Sequence, residues 1–145
     1  LERECVLTLE YNGYHVKRNF RSWGVEDVIS ASNGKQLLFI QAKNYSNHND
    51  SILDEDEQWI FIKHALKYGA LPVYLHVPKR GMRCWLDLST NTELYFDKFT
   101  KQWEKNRNII KKTLSDLKNP KKGGSRAKWK KYVRANYDDV CNFIC

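Results

Sequence analysis

An α/β domain is the fold class that three features of this sequence predict. Asn33-Gly34, a strong hairpin-turn dipeptide, leads into the apolar run Leu37-Leu38-Phe39-Ile40. Trp59, Ile62, Ala65 and Leu66 then recur at helical spacing. Val73, Leu75 and Val77 alternate as strand residues do. Strands interleaved with helices imply a sheet with helices packed on its faces.

The elements follow in order. Residues 1–12 suit a helix with Cys5, Val6 and Leu9 on its inner face, and Gly13 can end it through the left-handed conformation. Residues 14–20 alternate as a strand, and Arg21-Ser22-Trp23-Gly24 is a polar break. Val25, Val28 and Ile29 open a second strand, which turns at Asn33-Gly34 into a third, apolar enough to be buried on both faces. Asn44 to Asp50 reads as a loop. Ser51 is placed to cap the next helix, and Asp54-Glu55-Asp56-Glu57 complements its positive end. Gly69 closes that helix; residues 72–77 and 83–88 form two strands about a Lys79-Arg80-Gly81 turn.

The expected sheet domain covers residues 1–90, and residues 91–145 form a basic helical extension. In that extension Phe99, Trp103, Ile110, Leu114 and Leu117 suit one amphipathic helix stopped at Asn119-Pro120. Trp129, Val133 and Tyr137 suit a final one.

With 145 residues, 41% hydrophobic and 13% aromatic, the chain has enough apolar material for one packed core, which argues against wholesale disorder. No apolar run is long enough to cross a membrane as a helix, and four charges among the first ten residues do not read as a signal peptide. Cys5, Cys84, Cys141 and Cys145 form no CxxC pair, so a zinc finger is not expected, and an intracellular, cytoplasmic setting is. The charge is uneven. Residues 1–99 carry 12 basic and 13 acidic side chains, whereas residues 100–145 carry 13 basic and 4 acidic, so the formal net charge of +8 resides in the last third. Such a block neutralises nucleic-acid phosphates or keeps a helical cap solvated.

The chemistry-bearing segment pairs Glu26-Asp27 with Gln41-Ala42-Lys43 across the Asn33-Gly34 turn. Alternation puts Gln41 and Lys43 on one strand face and Ala42 on the other. Asp27, the Gln41 amide oxygen and the Ala42 carbonyl then form an oxygen set suited to a hard cation such as Mg²⁺, with Mn²⁺ as a substitute. Lys43 is suited to orient a water or offset developing charge. Two polar residues at the end of an apolar run need a reason to be there. The competing reading is an ordinary strand end leaving the core. Trp59 and Trp23 can stack on bases, though helical spacing makes Trp59 a core residue first. His15, His48, His64 and His76 are dispersed and form no catalytic pattern.

Glu2-Arg3-Glu4, Leu9-Glu10, Gly13-Tyr14, Val16-Lys17-Arg18, the Asn33-Gly34-Lys35 turn and Phe39-Ile40-Gln41-Ala42-Lys43 together resemble the archaeal Holliday junction resolvases of the PD-(D/E)xK nuclease superfamily. Trp59 through Lys67, Leu71-Pro72-Val73 and Arg83-Cys84-Trp85 extend the resemblance over residues 1–88. It implies a restriction-endonuclease-like mixed sheet flanked by helices and a Mg²⁺-dependent DNA endonuclease acting as a homodimer on four-way junctions. It also implies residue roles: Glu2 and Asp27 at the metal, Lys43 as the motif lysine, and Arg18, Arg21 and Ser22 on backbone phosphate. Gln41 stands where resolvases usually carry glutamate, and this Q-x-K version is similar to the Mrr-type restriction endonucleases. A restriction-like duplex nuclease and a catalytically weakened nucleic-acid-binding module therefore stand as alternatives. Lys121, Lys122, Lys128 and Lys131 are the residues expected to extend the DNA surface.

Overall fold

The computed structural model describes residues 2–19, 28–44, 55–77, 84–118 and 127–144. The first helix, α1 (Glu2–Tyr11), buries Cys5 and Leu9, one turn apart. It stops in a Schellman arrangement, in which the Tyr14 N–H reaches the Leu9 carbonyl at 2.9 Å and the Gly13 N–H reaches Glu10 at 3.0 Å. Gly13 accordingly sits at φ +89°.

Strands β1 (His15–Asn19), β2 (Val28–Ser32) and β3 (Leu37–Asn44) form an antiparallel meander. At the β2–β3 turn the Asn33 side-chain oxygen accepts the N–H groups of Lys35 and Gln36 at 2.9 and 2.8 Å. That Asx geometry is why Asn-Gly marks this hairpin. Helix α2 (Glu55–Tyr68) then carries the chain to β4 (Leu71–Val77), which pairs with β3 in parallel. Strands β5 (Cys84–Asp87), β6 (Thr92–Asp97) and β7 (Gln102–Lys105) continue antiparallel, giving a seven-stranded sheet in sequence order. Helices α3 (Arg107–Lys118), α4 (Ala127–Ala135) and α5 (Tyr137–Ile144) complete the chain.

The sheet separates two cores. On one face Cys5, Leu9 and Tyr14 pack with Ile29, Leu38, Ile40, Val73 and Leu75, and the β6–β7 hairpin adds Leu94 and Trp103. On the other face Phe39 and Tyr74 pack with Phe61, Ile62 and Ala65 of α2 and with Leu114, Trp129, Val133, Val140 and Ile144. The result is the mixed sheet flanked by helices that the sequence predicts.

The last third departs from the expectation of a purely helical extension. The sheet runs on past residue 90, and the helix expected from Phe99 onward begins only at Arg107. Trp103 is a strand residue whose ring stacks on Trp85 at 4.3 Å, a long-range contact that overrides the helical spacing. The final helix is two helices, α4 and α5, joined at Asn136. Ser51, Asp54, the Lys79-Arg80-Gly81 turn and Asn119-Pro120 lie outside the described residues.

Candidate functional site

Strand β3 carries the candidate motif. Leu38 and Ile40 face the α1 core and Phe39 faces the α2 core, so alternation sets Gln41 on the α2 face and Ala42 on the α1 face. Gln41 pairs in register with Tyr74, and Lys43 with His76. Ile29 pairs with Ile40, so the start of β2, next to Asp27 in the chain, and the end of β3 share one end of the sheet.

Gln41 is the unusual residue. It is 2% exposed, and neither its Oε1 nor its Nε2 has a hydrogen-bond partner among the described residues. An amide buried in that condition costs about 1–3 kcal/mol. Among the described residues its amide oxygen and N–H groups are thus both without a partner, at the position expected from the sequence to ligate a metal. A neutral amide oxygen is a chemically suitable donor for a hard divalent cation, so Gln41 fits the implied Mg²⁺. Among the described residues no group of three or more His, Cys, Asp and Glu is arranged to hold a metal ion.

Glu2 is the first residue of α1, the helix over Ala42's face of the sheet. Arg18 lies on β1 paired with Ile29. Asp27, Arg21, Ser22, Lys121 and Lys122 lie outside the described residues, as do Trp23, Glu26, Tyr45, Ser46 and His48. Lys128 and Lys131 are exposed on α4. Lys128 donates to the Asp56 carboxylate at 2.7 Å, so the acidic first turn of α2 already engages one lysine of the basic tail. Trp59 packs against the stacked Trp129 and Tyr132 rings, with centroids 6.0 and 5.5 Å away, and joins the core as its spacing suggests. Burial, reinforced by Lys67 and Lys63, holds the His64 imidazole below its usual pKa.

Sequence reasoning missed a second polar group. Asp87, fully buried, accepts the Ser89 N–H at 2.9 Å, the Ser89 hydroxyl at 2.6 Å and the Lys105 ammonium at 2.8 Å. Trp129 donates its indole N–H to the Ser89 carbonyl at 2.9 Å. This network ties α4 to the sheet; its only sequence signal was an acidic residue closing an apolar strand.

No family model matches the chain, and no curated protein sequence matches it. Among solved structures, the chain is similar to Archaeoglobus fulgidus Hjc, described as a Holliday junction resolvase from an archaeal hyperthermophile. The similarity has 19% identity and a TM-score of 0.49, covering 76% of this chain and 84% of that one. No helix among the described residues is long and apolar enough to cross a membrane.

Proposed function

We propose that this chain is a metal-dependent DNA endonuclease that hydrolyses phosphodiester bonds, with four-way junctions as its preferred substrate and a homodimer as its working form. One observation carries the reading: the buried Gln41 amide, which has no hydrogen-bond partner among the described residues, two positions before Lys43 on β3. A buried amide without a partner among the described residues has room for an ion, a water or a ligand atom as its partner.

In this reading Asp27, the Gln41 oxygen and the Ala42 carbonyl hold Mg²⁺ or Mn²⁺, with Glu2 supporting them. The cation supplies charge for the phosphate and an acidified water. Lys43 orients the nucleophilic water and offsets charge developing on the phosphate oxygens. Arg18, Arg21 and Ser22 hold the DNA backbone beside the site. Lys121, Lys122, Lys128 and Lys131 add sequence-independent affinity that falls with salt. A dimer would bring two such sites to two strands of a junction.

A second reading has its own observation. Gln41 is neutral where a carboxylate would bring one more negative charge to the cation, which favours a nucleic-acid-binding module with weakened catalysis. The deciding experiment incubates labelled junction, duplex and single-stranded DNA with Mg²⁺, using the intact chain, Asp27→Ala and Lys43→Ala. The first reading expects junction cleavage that both substitutions abolish. Binding without cleavage by the intact chain supports the second. Equal cutting of duplex and junction supports a restriction-like nuclease instead.

A further inference from the structure

The β6–β7 hairpin presents a phenylalanine at its tip. Phe99 is 97% exposed; a lone exposed ring is ordinary on a protein surface, and what distinguishes this one is the ordered, lysine-flanked tip that presents it. The tip that presents it is built rigidly. Asp97 Oδ1 accepts the N–H groups of Phe99 and Thr100 at 2.7 and 3.3 Å, and the Lys101 N–H returns to the Asp97 carbonyl at 2.8 Å. Lys101 takes φ +57°, which closes the turn at a strained backbone position although the residue is not glycine. The tip is also buttressed from outside. Asn33 donates its side-chain N–H to the Lys101 carbonyl at 2.7 Å, and the Gln36 amide bridges to the Trp103 backbone through two 2.9 Å bonds.

Those contacts bring the β2–β3 turn against the hairpin. Lys98 and Lys101 flank Phe99, and Lys35 stands exposed on the neighbouring turn. The tip exposes Lys98, Phe99, Thr100 and Lys101; the Asp97 carboxylate is turned to backbone N–H groups, and the Thr100 hydroxyl donates to Glu104 at 3.2 Å. An apolar wedge with lysines around it is the chemistry by which side chains enter a base stack while the adjacent phosphates are neutralised. A single ring buries too little area to anchor a protein on a lipid surface.

We infer that Phe99 is a nucleic-acid wedge: it stacks on, or inserts between, bases of DNA whose backbone is held by Lys35, Lys98 and Lys101. The choice of DNA rests on the function proposed above; the wedge itself is separate from the cleavage site. Gln36, which closes the Asn33-Gly34 turn, lies five residues before Gln41, roughly 17 Å along the strand at the strand rise.

The test measures DNA binding in Ca²⁺, which does not depend on cleavage, by titrating fluorescent junction and bulged duplex across a range of salt. Phe99→Ala should weaken binding about tenfold with an unchanged salt slope, and Phe99→Trp should retain it. Lys98→Ala and Lys101→Ala should each lower the salt slope by about one. A photoreactive benzophenone amino acid at position 99 should crosslink to DNA. Unchanged affinity in Phe99→Ala, or crosslinking to a second copy of the chain or to anionic vesicles in place of DNA, overturns the wedge. Loss of cleavage with this binding pattern intact would count against the endonuclease reading alone.

Discussion

The Lys105 ammonium donates to the Asp87 carboxylate at 2.8 Å, joining β7 to β5 across a strand that lies between them. Asp87 is fully buried and the Lys105 side chain is 11% exposed. Charges in such a place stabilise only as a pair, because removing one leaves the other desolvated. Lys105→Met should therefore destabilise the chain by about 3–5 kcal/mol. Urea denaturation would detect this as a lowered midpoint, and a loss under about 1 kcal/mol would show that the carboxylate reaches water.

Tyr14 links pH to stability. Its hydroxyl donates to the Gln36 side-chain oxygen at 2.7 Å, and burial, with Glu104 adding to it, pushes the phenol up to about 12. The unfolded phenol loses its proton near its ordinary value of 10, while the folded one keeps it until about 12. Stability from this group is thus complete below pH 10 and declines as pH rises toward 12. The stability difference between wild type and Tyr14→Phe should be flat below pH 10 and shrink above it. A difference that grows with alkalinity would contradict the burial account.

Lys128 and Lys131 separate two uses of positive charge. Both are exposed on α4, but Lys128 is held by Asp56. That pair is solvent-exposed on both sides, so Lys128→Ala should change stability by less than about 1 kcal/mol. In DNA titrations Lys131→Ala should lower the salt slope by about one, and Asp56→Asn should strengthen binding by releasing Lys128. Unchanged affinity in the Lys128→Ala, Lys131→Ala double variant would remove α4 from the DNA surface.

Legibility in the sequence tracked locality. The β2–β3 hairpin was readable because Asn33 and Gly34 form a turn from their own side chain and backbone. Helix α2 was readable because its apolar spacing and Gly69 stop agree. Strands β6 and β7 were not, because their turns use Asn91 and Lys101 at positive φ in place of glycine. Phe99 and Trp103, four apart, imitate a helix face. What decides otherwise is distant: Trp103 stacks on Trp85 and hydrogen-bonds Gln36. At the candidate site, alternation from Phe39 through Gln41 was legible, and Gln41 lies on the α2 face with Tyr74 as its register partner. That the Gln41 amide is buried without a partner depends on how α2 and β4 close over the strand, which spacing does not encode.

The unpartnered amide makes Gln41 a residue at odds with the fold's stability. Gln41→Met, which keeps the length and removes both unsatisfied atoms, should stabilise the chain by about 1–2 kcal/mol in urea denaturation. A loss of stability would mean that the amide is satisfied in solution.

The central claim is that this amide belongs to a metal-dependent cleavage site. The most direct measurement is Mg²⁺-dependent cleavage of a labelled four-way junction by wild type, Gln41→Met and Gln41→Glu, with folding verified for each. Cleavage by wild type, its loss in Gln41→Met, and activity at lower Mg²⁺ in Gln41→Glu are the results this account predicts. Cleavage by Gln41→Met at the wild-type rate, or no cleavage by wild type at any Mg²⁺ or Mn²⁺ concentration, would contradict it.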